Sequence, residues 1–131
     1  MSVHLRQQEY EALGMQARWL SAEHAYKYAL SFSSTKRYGL NEETVSAIDR
    51  IVIESYSVAD QWLKNRIDSE DTIQIVYSDT EACVVESEKF LQNWKDLFVP
   101  SRDDAVVFHN LERTVLFYCH EEELEVGQRS Q

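Results

Sequence analysis

Thr72-Ile-Gln-Ile-Val-Tyr-Ser-Asp-Thr-Glu-Ala-Cys-Val-Val-Glu86 opens the stretch that decides the fold, and Ala105-Val-Val-Phe108 with Thr114-Val-Leu-Phe-Tyr-Cys119 completes it. Ile73, Ile75 and Tyr77 alternate with Thr72, Gln74 and Val76, the period-two pattern of a strand with one buried face. Ser78-Asp-Thr-Glu81 can turn the chain, and Ala82 to Glu86 can return it. Residues 80–86 carry two readings. Cys83-Val84-Val85 favours a strand, while Asp79 or Thr80 could instead cap an early start of the next helix. Asn110-Leu111-Glu112 joins the last two apolar runs as a hairpin loop. If Val107 faces Val115, one face carries Ala105, Val107, Val115, Phe117 and Cys119, and the other carries Val106, Phe108, Leu116, Tyr118 and His120. Both faces are apolar, so each is covered by the chain or one is left for a partner.

Between the two hairpins, Ser87–Phe98 reads as an amphipathic helix. Phe90, Leu91, Trp94, Leu97 and Phe98 lie on one face, with Lys89, Gln92, Lys95 and Asp96 opposite. Pro100 stops it, because the residue before a proline is pushed out of the α region. Upstream, residues 3–32 show helical spacing with an internal break at Gly14, and 31–39 has loop composition. Asn41 can cap a second helix running to about Arg66, since Val45, Ile48, Val52, Tyr56, Ala59 and Leu63 recur at three and four. A strand through Ile51–Ile53 is the competing reading. The expected fold is therefore α+β: one domain over 1–131, with an antiparallel helical hairpin over 1–67, a ββαββ unit with an antiparallel sheet over 68–127, and a frayed tail over 128–131.

The 131 residues carry a net charge of −10, and 44% are hydrophobic, which indicates a globular chain. The charge is uneven. Arg6, Arg18, Lys27, Lys36 and Arg37 outnumber the three acids before residue 41, and the rest of the chain carries twenty acids against eight bases. Residues 67–88 hold Asp68, Glu70, Asp71, Asp79, Glu81, Glu86 and Glu88 with no base, and Glu121, Glu122, Glu123 and Glu125 form a second cluster. Such a surface repels nucleic-acid phosphates and anionic membranes and steers basic partners toward it. The only basic-aromatic grouping, Lys27-Tyr28 with Lys36-Arg37-Tyr38, is a poor footprint for nucleic acid. The N-terminus lacks the apolar core of a signal peptide, and no apolar run approaches the roughly 20 residues of a membrane span. Cytoplasmic location, with Cys83 and Cys119 reduced and buried, is expected.

Catalytic and cofactor motifs are missing. Gly14, Gly39 and Gly127 are too scattered for a phosphate loop, and there is no CxxC, HExxH, EF-hand loop or GxSxG. No cofactor is implied. His120 with Glu122 could begin a metal site with Glu86 or Asp104, but no third ligand has motif spacing, so none is assigned. Asp104, Tyr118 and His120 are the one polar grouping that could act as an acid-base site, in a small enzyme or ligand-binding protein with a pocket between helices and sheet. The favoured expectation is a module that binds a basic protein, with Asp68, Glu70, Asp71, Glu121, Glu122 and Glu123 as its contact residues. A homodimer built on the two-faced hairpin is a further alternative.

The run Asn93-Trp-Lys-Asp-Leu-Phe-Val-Pro-Ser-Arg-Asp-Asp104, with the following hairpin and His120-Glu121-Glu122, resembles a pattern in small uncharacterised bacterial proteins. Some of these are similar in size and charge to the immunity proteins of bacterial toxin systems. The resemblance covers only the last part of the chain and carries over no functional residue. It implies an inhibitor that covers a basic toxin domain.

Overall fold

The computed structural model describes residues 2–109 and 113–130, so the expected loop Asn110–Glu112 lies outside the described residues. The fold is α+β, with α1 (Ser2–Ala12), β1 (Arg18–Trp19), α2 (Ala22–Leu30), β2 (Val45–Val52), α3 (Tyr56–Lys64), β3 (Thr72–Val76), β4 (Ala82–Glu86), α4 (Ser87–Leu97), β5 (Ala105–His109), β6 (Thr114–Cys119) and β7 (Glu123–Arg129). Seven antiparallel strands form one open sheet in the order β1-β4-β3-β5-β6-β7-β2. Helices cover both of its faces.

The first 67 residues do not form the expected helical hairpin. Gly14 adopts φ +72, ends α1 and lets the chain extend. Arg18 and Trp19 then pair with Val84 and Cys83 at the sheet edge. The second expected helix is divided between β2 and α3. Val45 and Ser46 pair with Arg129 and Gln128, but Asp49 pairs with Val126, so Ala47 and Ile48 together face Gly127. This is a bulge, and Ala47 takes φ 54 to make it. Because the extra residue shifts the side-chain phase, Val45 and Ile48 share one sheet face at a spacing of three, which imitates a helix.

Residues 82–86 are a strand, in register with β3 from Thr72↔Glu86 to Val76↔Ala82. In the β5–β6 hairpin Val107 pairs with Leu116 and Phe108 with Val115, one residue away from the expected register. Ala105, Val107, Leu116 and Tyr118 therefore face α3 and α4, where they meet Ala59, Leu63, Phe90, Trp94 and Phe98. Val106, Phe108, Val115, Phe117 and Cys119 face α2 and the segment after it, where they meet Ala22, Ala29, Phe32 and Leu40. A one-residue slip exchanges every side chain between faces, and here it assigns the larger aliphatic set to the larger helical layer. The hairpin is covered on both sides within the chain.

Leu124 and Val126 do not prolong the strand before them. The chain turns at Glu122 (φ 61) and returns as β7, which pairs with β6 along its length. Nor does the chain fray at residues 128–130: Gln128 and Arg129 are paired, and the Ser130 N–H donates to the Thr44 carbonyl.

In α4 the buried residues are Ser87, Phe90, Leu91, Trp94 and Leu97, as the three-four spacing requires. The Trp94 indole N–H donates to Asp60 Oδ1 at 3.0 Å and so ties α4 to α3. Helix α4 follows β4 directly, which fixes its N-terminus at the Glu86 end of the sheet. That junction positions the site described next.

Candidate functional site

At the Thr72 end of β3, loop 68–71 is built from its own polar groups. Asp68 Oδ1 accepts the Glu70 N–H at 2.8 Å, and Asp71, at φ 65, accepts the Thr72 N–H at 2.9 Å. Ser87, fully buried at the start of α4, secures this loop. Its N–H donates to the Asp71 carbonyl at 2.9 Å, and its hydroxyl donates to the Asp68 carbonyl. The Glu70 carbonyl meets His109 Nε2 at 3.1 Å. The loop's backbone is thus bound to α4 and β5, while its carboxylates remain outside.

Asp68, Glu70, Asp71, Glu86 and Glu88 are all exposed here, and among the described residues none of the five is in an ion pair. Glu86 and Glu88 flank the N-terminus of α4, where the helix dipole favours negative charge. A shallow groove of about 650 Å³ runs beside them between the end of α3 and the start of α4, lined by Lys64, Arg66, Asp68, Glu88, Leu91 and Gln92. Sequence reading identified Asp68, Glu70 and Asp71. Glu86 and Glu88 join them because Thr72 pairs with Glu86.

Glu121, Glu122 and Glu123 lie at the other end of the sheet. Because β3 and β5 are antiparallel, Ile73 sits beside His109, whereas Asp104 and His120 flank the opposite ends of β5 and β6. The two acid clusters are separated by about the length of a five-residue strand, roughly 17 Å at ~3.3 Å per residue. Two carboxylates of this second cluster are neutralised. Glu123 binds Arg50, and the buried Glu125 binds Arg37 at 2.5 Å and also accepts the Leu40 N–H at 2.9 Å. Glu121 is exposed and has no ion-pair partner among the described residues.

Of the acid-base candidates, Asp104 and His120 meet. His120 Nδ1 lies 2.9 Å from Asp104 Oδ1, which also accepts the His120 N–H at 2.7 Å. That hydrogen bond, aided by the negative charge of Asp104, raises the His120 pKa above its usual value. Tyr118 lies on the other sheet face, stacked on Phe98 with ring centroids 4.6 Å apart, and burial raises its pKa. The three therefore do not form one site. A cavity of about 350 Å³ between α2 and the sheet takes in Asp104, Tyr26, Tyr38 and Phe117 but neither Tyr118 nor His120.

The densest polar cluster had no sequence signal beyond Arg6 and Tyr10 standing one helical turn apart. Arg6, only 4% exposed, bonds both Glu81 and Asp103 in two-pronged fashion, and its guanidinium covers the Tyr77 ring at 3.6 Å. Arg102 joins Asp103 to Glu9. Burial alone would raise the Asp103 pKa, but hydrogen bonds from Arg6, the Val99 N–H and Arg102 hold it below the usual carboxylate value. Beside the cluster, burial pushes the Cys83 thiol up to about 12 and also raises Tyr10 and Tyr77. A thiol and phenols held protonated in this way are poor nucleophiles. The cluster pins α1 to the sheet.

No family model, curated protein or solved structure matches this chain.

Proposed function

We propose that the chain is a protein-binding module whose acidic end, at Asp68, Glu70, Asp71, Glu86 and Glu88, engages a basic partner in the manner of an immunity protein covering a basic toxin domain. The carrying observation is that these five exposed carboxylates are gathered on a firmly bonded loop and helix start, beside a groove, without internal counter-ions. Arg6, Arg37, Arg50 and Arg102 pair with other acids of the chain and with none of these five. Unpaired like charge lowers stability through self-repulsion, and a complementary partner converts it into attraction and faster encounter. Glu121–Glu123, at the far end, offers at most a secondary contact. Among the described residues no helix is long and apolar enough to cross a membrane, and the proposed setting is the cytoplasm.

Affinity capture from the native host, with partners identified by mass spectrometry, tests the proposal. The expected partner is a basic protein whose association rate falls on the order of tenfold as salt rises from about 0.01 M to 0.15 M. A partner bound with no salt dependence, and unaffected by charge reversal at Asp68–Asp71, would remove the electrostatic basis of the proposal.

A further inference from the structure

The turn between β6 and β7 brings together three different metal-binding side chains. One donor atom each from Asp104, Cys119 and His120 lies within 4.8 Å of the others. Cys119, Glu121 and Glu123 form a second, overlapping set of the same size around the same sulfur. The convergence follows from topology. Cys119 and His120 are consecutive at the end of β6, Asp104 precedes β5 on the neighbouring strand, and Glu121 follows in the turn. The sequence pattern assigned Cys119 to the core, and its side chain does pack in the buried cluster under α2, while no third ligand for His120 had motif spacing.

We infer that Asp104, Cys119 and His120 form a binding site for a borderline-soft divalent transition cation of the zinc type, with Glu121 as the nearest unpaired candidate for a fourth ligand. The donor set selects the class. Thiolate, imidazole and carboxylate together suit zinc or cobalt, whereas calcium and magnesium take oxygen donors and gain nothing from sulfur. Ligand atoms about 2.0–2.3 Å from a tetrahedral metal lie roughly 3.3–3.8 Å apart, so donors within 4.8 Å of one another stand close to binding distance. Glu123 is committed to Arg50, which leaves Glu121 as the available carboxylate of the second set. Asp104 fixes His120 through both its backbone N–H and its ring, and the Tyr38 ring meets the imidazole edge-on at 4.7 Å between centroids. These contacts orient the imidazole in the metal-free protein, and of the two neighbours only the Tyr38 ring is not itself a proposed ligand. Burial raises the Cys119 pKa, and metal entry displaces the thiol proton to solvent as the metal–sulfur bond forms.

Cobalt(II) titration of the full-length, reduced protein tests the site, because cobalt bound to a thiolate gives a near-ultraviolet charge-transfer band. The expected result is one equivalent bound with that band, displaced by zinc. Cys119→Ser should lose the band and Cys83→Ser should keep it. His120→Ala and Asp104→Asn, which alter exposed side chains, should each weaken binding at least about tenfold. They carry the test if Cys119→Ser does not fold. The inference is overturned by binding without a sulfur band, by a band that follows Cys83, or by affinity indifferent to His120→Ala and Asp104→Asn.

Discussion

At the residue scale the chain depends on Arg6. Glu81 and Asp103 are both buried, and the guanidinium between them offsets the cost of burying their charge. Arg6→Ala should lower the unfolding free energy by about 3–5 kcal/mol, measured by urea denaturation, because it leaves the buried Glu81 without its ion pair and Asp103 with Arg102 alone. The triple variant Arg6→Met, Glu81→Gln, Asp103→Asn should recover much of that loss, since no buried charge then remains. If it is no more stable than Arg6→Ala, the cluster acts by shape and not by charge. Asp103 also sets an acid response. Its folded pKa is depressed, so its contribution is complete above the unfolded carboxylate value of about 3.9 and is lost as pH falls through the lower folded value. Stability should therefore fall as pH drops below about 5, and Asp103→Asn should fall less steeply over the same range. Parallel profiles would contradict the assignment. His120 offers a cleaner readout. In a nuclear magnetic resonance titration its pKa should lie above the ordinary histidine value and drop in Asp104→Asn, because the raising partner is removed.

At the scale of elements, the β2 bulge and Gly127 form a matched pair. A Cβ at Gly127 would stand 2.5 Å from Val45 Cγ1 and 2.9 Å from the Ser46 carbonyl, closer than packed atoms allow. Gly127→Ala should therefore cost about 1–3 kcal/mol in a denaturation experiment, by forcing the bulge open. Ala47→Gly should be neutral or slightly stabilising, because Ala47 already sits at a left-handed φ that glycine tolerates freely. A stabilised Gly127→Ala protein would refute the packing described. The same bulge explains what the sequence could not reveal. Strands β3, β4, β5 and β6 and helix α4 were legible because β3 and α4 keep an unbroken period, β5 and β6 are continuous apolar runs, and Cys83-Val84-Val85 favoured a strand for β4. Strand β2 was not, since one inserted residue turned alternation into a spacing of three. The hairpin register was ambiguous for a related reason: β5 and β6 are apolar on both faces, so a one-residue slip leaves the pattern looking the same. The Asp104–His120 contact was legible from proximity across that hairpin, whereas the placing of Tyr118 depended on the register and was not. The partners of Arg6 lie 75 and 97 positions away, a separation at which local pattern says nothing.

At the scale of the whole molecule, charge is sorted by position. The basic N-terminal segment is held to the acidic remainder at Arg6 and Arg37, so opposite charges meet where the segments join, within a net charge of −10. The Asp68–Asp71 loop and the start of α4 gather five of the carboxylates that have no ion pair among the described residues. Covering both faces of the sheet leaves its ends as the places where loops, charges and grooves are accessible. One end holds the unpaired carboxylates of the proposed partner site, and the other holds Asp104, Cys119 and His120. The most direct test of the partner-binding claim is the association rate of the captured partner with the wild-type chain and with a variant carrying Asp68→Asn, Glu70→Gln, Asp71→Asn, Glu86→Gln and Glu88→Gln, each at low and at physiological salt. The variant should associate at least about tenfold more slowly at low salt and lose most of its salt dependence, while Glu121→Gln changes little. Equal rates and equal salt slopes for variant and wild type would contradict the claim.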